Sequence, residues 1–519
     1  MADIVLINPR FDVSYWGLEH ALPFLHVKAI LPTASLPLLA ALTPAGHHVQ
    51  LIDENVEEID FARCARADLV GVTGMNVQRR RMREILQELK LRGVFTVVGG
   101  PWVTVQEDYF GDLAEVVFVG EAEETWPRFL GEWPEGRHQN RYEQAEATDM
   151  SRVPAPRLDL LPRGAYAHGS VQFSRGCPFT CEFCDIIVVF GRRPRLKTAR
   201  QIATELDGLL AQGLRTAFVV DDNLVGNKRA VKELLREVVR WQRDHGYPLS
   251  LVAEASLDLA DDAELMELMI EANFVAVFVG IETPNEAALR ETKKLQNLRK
   301  GGTMLEKVHR IQVAGLEVWS GMIVGFDNDD IGIFDAQVRF VRDARIVNCM
   351  VNMLVAVPKT PLHDRLRREG RIDSDDLAPH GTNVIPLRMS REELRDGYVA
   401  VMRELYEPAA YLDRVDALFV EAGTRLEQAR RRHLEQHPWR RRADGARLLA
   451  EAGFIFLRLM GGVADADLRR EYRSRIWSIL KTRPDPALLQ LYTVKCAMHY
   501  HAHAMVQQML GGGPVINSF

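Results

Sequence analysis

Residues 175–186 read RGCPFTCEFCDI, and three of the chain's six cysteines fall within eight of these positions. Cys177, Cys181 and Cys184 are spaced C-x3-C-x2-C. The triplet follows directly on a β-rich run, SVQFS (170–174), in a loop opened by Gly176 and stiffened by Pro178. Such a loop can bend three thiolates toward one point. Structural zinc wants four ligands. Three thiolates can instead hold three irons of a [4Fe–4S] cluster and leave the fourth iron open to an exogenous ligand. A zinc site completed by a distant residue and three unrelated buried thiols are the competing readings. A loop of this spacing at the end of a first barrel strand argues against both.

Outward from the triplet, residues 169–370 alternate strand and helix patterns. Strand candidates are 170–174, 216–222, 249–255, 275–282, 317–326 and 350–358, with helical stretches between them. Six such repeats suit a partial (β/α)6 barrel of the TIM type, whose chemistry sits at the carboxyl ends of the strands. Polar residues gather at those ends: Asp221, Asp222 and Asn223, then Glu254 and Ser256, then Glu282 and Thr283, then Asp327.

Residues 1–135 carry five further short strands, at 4–8, 47–53, 68–74, 94–100 and 115–121. Buried strands alternating with amphipathic helices predict a doubly wound, Rossmann-like open sheet. Ligands of such sheets bind beyond the strand carboxyl ends. Those ends carry Thr73-Gly74, Gly99-Gly100 and Gly120-Glu121, where glycines let the backbone approach a large flat ligand or merely form tight turns. Residues 136–168 read as a polar, proline-containing linker, and 371–519 as a helical C-terminal domain.

The composition fits a globular chain of several domains: 519 residues, 47% hydrophobic, 26% charged, net charge −6. This balance gives no support for nucleic acid as a partner. No apolar run approaches the ~18 residues of a membrane span. The N-terminus, MADIVLINPRF, is expected to be a first strand and not a signal peptide. Six cysteines are too few for a disulfide framework, so a reducing cytoplasm is expected.

The cysteine triplet, with Phe183 before its last member, resembles the radical S-adenosylmethionine (SAM) enzymes. SGMIVGF (320–326) is similar to that family's G-x-I-x-G strand, and FVVDDN (218–223) sits where its members carry polar residues for the SAM amino group. A doubly wound domain ahead of the barrel resembles the cobalamin-binding subgroup, in a branch with a helical C-terminal extension.

This resemblance implies three cofactors: a [4Fe–4S] cluster on Cys177, Cys181 and Cys184, SAM and cobalamin. It implies SAM contacts from Asp222, Asn223, Glu254, Ser256, Glu282, Gly321 and Gly325. It implies cobalamin contacts from Thr73, Gly74, Gly99, Gly100, Gly120 and Glu121. The D-x-H-x-x-G motif that supplies a lower histidine ligand to cobalt in cobalamin mutases is absent, and AGHHVQ (45–50) does not replace it. Many members of the subgroup are methylases, in which the hard chemistry belongs to the cofactors.

The implied activity is methylation of an unactivated carbon in a small or lipid-like biosynthetic substrate, with an external one-electron donor of the flavodoxin or ferredoxin type. A cobalamin-dependent cyclase or oxidoreductase without methyl transfer is the alternative. An iron–sulfur or zinc protein without SAM cleavage is the alternative of another class. Arg192, Arg193 or Arg195, just past the cluster loop, could pair with the SAM carboxylate or with cobalamin's polar side chains. His499 and His503 share a helix face, which reads as a polar face or pocket lining before a metal site. The arginine runs at 430–432 and 440–442 read as solvated helix ends before a contact with anionic lipid or a phosphate, and the apolar stretch 452–462 as a packing helix before a membrane contact, though a lipid-like substrate would suit it.

Overall fold

The computed structural model describes residues 1–298, 301–373 and 380–517. Two six-stranded parallel sheets organise the chain. The first contains β1 (Asp3–Asn8), β2 (His48–Asp53), β3 (Leu69–Thr73), β4 (Thr96–Gly99), β5 (Val116–Val119) and β6 (Arg141–Glu143), in the order β2-β1-β3-β4-β5-β6. The order reverses between β1 and β3, which opens a crevice at the strands' carboxyl ends. Its strands are short runs of β-branched residues buried on both faces, by Met82, Ile85 and Leu89 on one side and by Leu36, Trp126 and Phe129 on the other.

Strand β6 lies inside the stretch read as a linker. Its sequence is polar except for Tyr142, which is fully buried, stacked on Phe118 at 5.3 Å and edge-on to Phe129 at 5.6 Å. One aromatic ring anchors an edge strand that composition could not announce. Further along the same stretch, the Tyr166 hydroxyl donates to Asp53 at 3.0 Å.

The second sheet is an open arc. It contains β7 (Gly169–Val171), β10 (Thr216–Val219), β11 (Ser250–Ala255), β12 (Phe274–Glu282), β13 (Glu317–Val324) and β14 (Cys349–Met353), in the order β14-β13-β12-β11-β10-β7. Among the described residues β7 and β14 do not pair with each other, so the barrel is partial. The run read as one strand at 170–174 splits. Its second half, β8 (Ser174–Arg175), leaves the arc and pairs antiparallel with β9 (Arg195–Leu196). The two-stranded ribbon closes the base of the cysteine loop.

The C-terminal region is helical. Pro438 divides the basic stretch at 428–447 between two helices, Gln428–Glu435 and Pro438–Gly462. Helix Pro486–Leu510 is its buried centre, and Lys495 there pairs with Glu317 at the start of β13 at 2.6 Å. The chain then returns: Asn517 hydrogen-bonds the backbone of Met353 in β14 at both N–H and C=O.

Candidate active site

The carboxyl ends of both sheets open into one cavity of about 2130 Å³. Pockets for drug-sized ligands hold roughly 300–1,000 Å³, so this space has room for several groups together. From the first sheet it is lined by Asn8, Thr73, Gly74, Gly99, Gly100, Gly120 and Glu121, and from the arc by Asp222, Asn223, Glu254, Ser256, Glu282 and Gly321. All three loop cysteines face it. Gly325, expected beside them, does not. Its φ of +102° turns its N–H to the buried Asp329 carboxylate at 3.1 Å, and Leu394 fills the space beside it. That glycine makes the turn after β13 and takes no part in the cavity wall.

The cysteine loop is shaped by Gly176, whose φ is +92°. A Cβ there would meet the Arg193 carbonyl oxygen at 2.8 Å, so only glycine lets the two limbs close. The Gly176 N–H donates to Asp222 at 2.6 Å, and the Cys177 N–H to the Gly191 carbonyl at 3.2 Å. Asn223 spans from Cys177 Sγ (4.0 Å) to Ser256 Oγ (3.1 Å). Gln296 Nε2 donates to Cys181 Sγ at 3.4 Å, and its Oε1 is buried without a partner. No three His, Cys, Asp or Glu side chains among the described residues close on a single ion. Burial, with the charge of Asp185 behind it, pushes the Cys184 thiol well up. Ligation would release that proton.

Beside the thiols stands a cation that the strand-end reading missed. Lys294 donates to Glu282 at 2.5 Å and lies 5.9 Å from the centre of the Phe183 ring. Burial pulls its pKa down, but Glu282 and the Cys181 and Cys184 sulfurs outweigh that and hold it protonated. It lies in a short loop between helices, with no periodic signal to mark it. On the neighbouring strand β11 the Glu254 carboxyl has no hydrogen bond or ion pair with any described residue, and burial followed by the Asp222 charge pushes it up to about 8. An unpaired carboxyl facing a cavity is a place for a ligand donor. Gly321 is bare because the Phe278 ring sits 3.0 Å from where its Cβ would be. These groups fit a ligand carrying an amino group, a carboxylate and a sugar.

On the opposite wall, Gly100 has φ +101°, and a Cβ there would meet Thr73 Oγ1 at 2.4 Å and the Gly74 nitrogen at 3.0 Å. The Gly120 N–H donates to Thr104 Oγ1 at 2.9 Å. The indole N–H of Trp102 is buried without a partner in this wall. Bare glycine backbone and an orphaned donor fit a broad flat ligand with peripheral acceptors. Among the described residues the one histidine in the cavity wall is His363, from the helix after β14, and none comes from the first sheet.

Glu121 lines the cavity but is already engaged. It accepts from Arg175 at 2.9 Å, from Arg195 at 2.8 Å and from the Thr148 N–H at 2.8 Å. Arg195 is thereby committed to a protein carboxylate, while Arg192 and Arg193 are exposed. His499 is buried between the Tyr472 hydroxyl and the Tyr406 carbonyl, and burial drives its pKa down to about 3. It is a neutral packing residue.

Three family profiles match: the B12 binding domain over residues 23–130, the radical SAM superfamily over 171–335, and a domain of unknown function, DUF4070, over 360–512. The chain is 42% identical over 425 residues to an uncharacterized methyltransferase of Synechocystis sp., covering 81% of this chain and 79% of that one. It is 34% identical over 488 residues to the hopanoid C-2 methylase of Rhodopseudomonas palustris, covering 92% and 89%. This chain belongs to the cobalamin-binding radical SAM family. In fold it matches the radical SAM methyltransferase TsrM from Kitasatospora setae, solved with cobalamin and a [4Fe–4S] cluster, at TM-score 0.61 and 18% identity, over 79% of this chain and 90% of that one. The protein is thus a radical SAM enzyme with [4Fe–4S], SAM and cobalamin as cofactors, and its reaction is methyl transfer. Cyclisation without methyl transfer has less support.

Proposed function

We propose that the enzyme methylates an unactivated carbon of a polycyclic, lipid-like hydrocarbon. The observation that carries this reading is the apolar wall between the two cofactor sides. Trp16 packs on Phe278 at 4.8 Å between their ring centres, and Phe218, Met350, Leu354 and Val515 continue the surface. Such a wall offers shape and no hydrogen bonds, which suits a hydrocarbon skeleton. The similarity to a hopanoid C-2 methylase over nearly the whole chain agrees with it.

In this reading Cys177, Cys181 and Cys184 hold the cluster. Asn223, Ser256, Glu254, Gly321 and the Glu282–Lys294 pair hold SAM. Thr73, Gly74, Gly99, Gly100 and Gly120 take the corrin side, with Trp102 donating to its periphery. When bound, these cofactors supply a carbon-centred radical and a transferable methyl group. The chain's own work is to fix the groups at opposite walls, to keep Lys294 protonated beside the thiols and to exclude water with Trp16 packed on Phe278. The cluster held there would take its electron from an external one-electron donor of the flavodoxin or ferredoxin type. A reducing cytoplasm is the compartment that suits six free thiols.

The test is substrate choice. Anaerobically loaded enzyme receives a pentacyclic triterpene hydrocarbon in detergent or, separately, a tetrapyrrole. The triterpene is expected to gain one methylene in mass and the tetrapyrrole to be unchanged. The reverse outcome overturns the substrate class.

A further inference from the structure

Helix Pro438–Gly462 is buried on one side only. Ala452, Ile455 and Leu459 pack inward. The opposite ladder, Trp439, Ala443, Ala446, Ala450, Gly453, Leu457 and Gly461, is exposed at every position, with Trp439 80% and Leu457 70% accessible. Leu449 and Phe454 flank it, both exposed. The steps of three and four residues put these side chains on one stripe, roughly 33 Å long. A stripe of this kind on a water-facing helix marks an interaction surface.

Its charges state what covers it. The helix carries five arginines against one aspartate and one glutamate, a net +3 in a chain of net −6. Asp444 and Glu451 are both taken up by Arg447, and Asp444 also by Arg430. Arg440, Arg441 and Arg442 are exposed and have no acidic partner among the described residues; Arg442 flanks the stripe, Arg440 lies to its side beside Gly246 and His433, and Arg441 projects from the far side of the helix end. The Arg442 guanidinium rests 5.4 Å from the centre of the Trp439 ring. A second copy of the same face would bring no free acid to these arginines, whereas anionic headgroups would pair them. A water-facing helix with an apolar stripe and a basic end lies in the interface plane of such a surface.

The stripe is also continuous with the cavity. Arg458 donates to the Pro23 carbonyl, Phe454 meets the His26 ring edge-on at 5.8 Å, and Phe24 crowds Gly462. The short helix between them, Leu22–Leu25, turns Leu22 into the cavity wall. We infer that the outer face of Pro438–Gly462 docks the enzyme on an anionic lipid surface, with Leu22–Leu25 between that surface and the substrate cavity. This inference rests on the lipid-like substrate proposed above.

The experiment is vesicle flotation of the loaded, full-length protein. Vesicles are phosphatidylcholine alone or with phosphatidylglycerol, at low and high salt. Association is expected with the anionic vesicles and is expected to weaken in high salt. Leu457→Asp should reduce it about tenfold or more, and the triple variant R440A/R441A/R442A about 100-fold. Both sites are exposed, so turnover of a detergent-dispersed triterpene should be unchanged and reports intact folding. Failure to bind anionic vesicles, or binding unaltered in both variants, overturns the inference. So does a dimer in solution that Leu457→Asp splits without any vesicle binding. Turnover in detergent without vesicle binding refutes the docking surface alone. Vesicle binding without triterpene turnover supports the surface and refutes the substrate reading.

Discussion

Glu121, at the end of β5, accepts a hydrogen bond from Arg175 of β8 at 2.9 Å, and both side chains are nearly sealed from solvent. Arg175 stands two residues before the first loop cysteine. Arg195, on the strand paired with it, reaches the same carboxylate. One acid of the cobalamin-type sheet thus fixes both limbs of the ribbon that carries the cluster loop. Burial pushes that carboxyl up, but the Thr148 N–H and the two guanidiniums outweigh it and hold Glu121 ionised.

Removing that acid leaves Arg175 with Glu123 as its one carboxylate and Arg195 with only the Thr148 and Phe190 carbonyls, a loss of charge-assisted hydrogen bonds that costs about 1.5–3 kcal/mol. Glu121→Ala is expected to unfold at lower denaturant by that order and to lower 5′-deoxyadenosine formation. Glu135→Ala, an exposed acid on the same domain, should change neither. Denaturant unfolding beside a deoxyadenosine assay checks this.

Replacement of Cys181 by Ala should abolish the reconstituted cluster's visible absorbance and 5′-deoxyadenosine formation together. Cys349→Ala, a buried thiol outside the cavity, should keep both. Iron and sulfide content per chain gives the direct reading.

Gly100→Ala puts a methyl group 2.4 Å from Thr73 Oγ1 in a left-handed backbone. The turn must shift, and cobalamin retention after gel filtration is expected to fall about five- to 150-fold, from strain of about 1–3 kcal/mol. At Gly131, where a Cβ meets nothing within 4 Å, the same change should leave retention intact.

His499 and His501 are buried, and His168 half-buried, in the neutral form. Burial drives His168 to about 4, and His499 and His501 to about 3. Their unfolded values lie near 6.5. Below that pH the unfolded chain takes up protons that the folded chain refuses, so stability is full above about 6.5 and is lost as pH falls toward 4–3. Each group contributes up to about 1.4 kcal/mol per pH unit in that window. Melting temperature against pH should show this acid slope, and His499→Gln should flatten it.

The cluster loop and both sheets were legible because their signals are local. Cysteine spacing, β-branched runs and strand-end glycines all lie within a few residues of one another. What the sequence hid depends on distant partners. Glu121 looked like a cofactor contact at a strand end, because its arginines lie more than 50 residues away. Lys294 and Gln296 reach the thiols from a loop with no motif. Tyr142 carries a strand within a polar run, and Asn517 returns to β14 across 164 positions. The stretch 452–462, read as a packing helix, does pack through Ala452, Ile455 and Leu459 and leaves Gly453, Leu457 and Gly461 exposed, because hydrophobic content does not say which face is covered.

The most direct measurement follows SAM carrying a deuterated methyl group through anaerobic turnover with a triterpene substrate. Mass spectrometry counts S-adenosylhomocysteine, 5′-deoxyadenosine and labelled product. The expected result is one of each per turnover, with the deuterated methyl group in the product. Substrate consumed with deoxyadenosine formed, but with no label in the product and no S-adenosylhomocysteine, would contradict the assignment of this enzyme as a methylase.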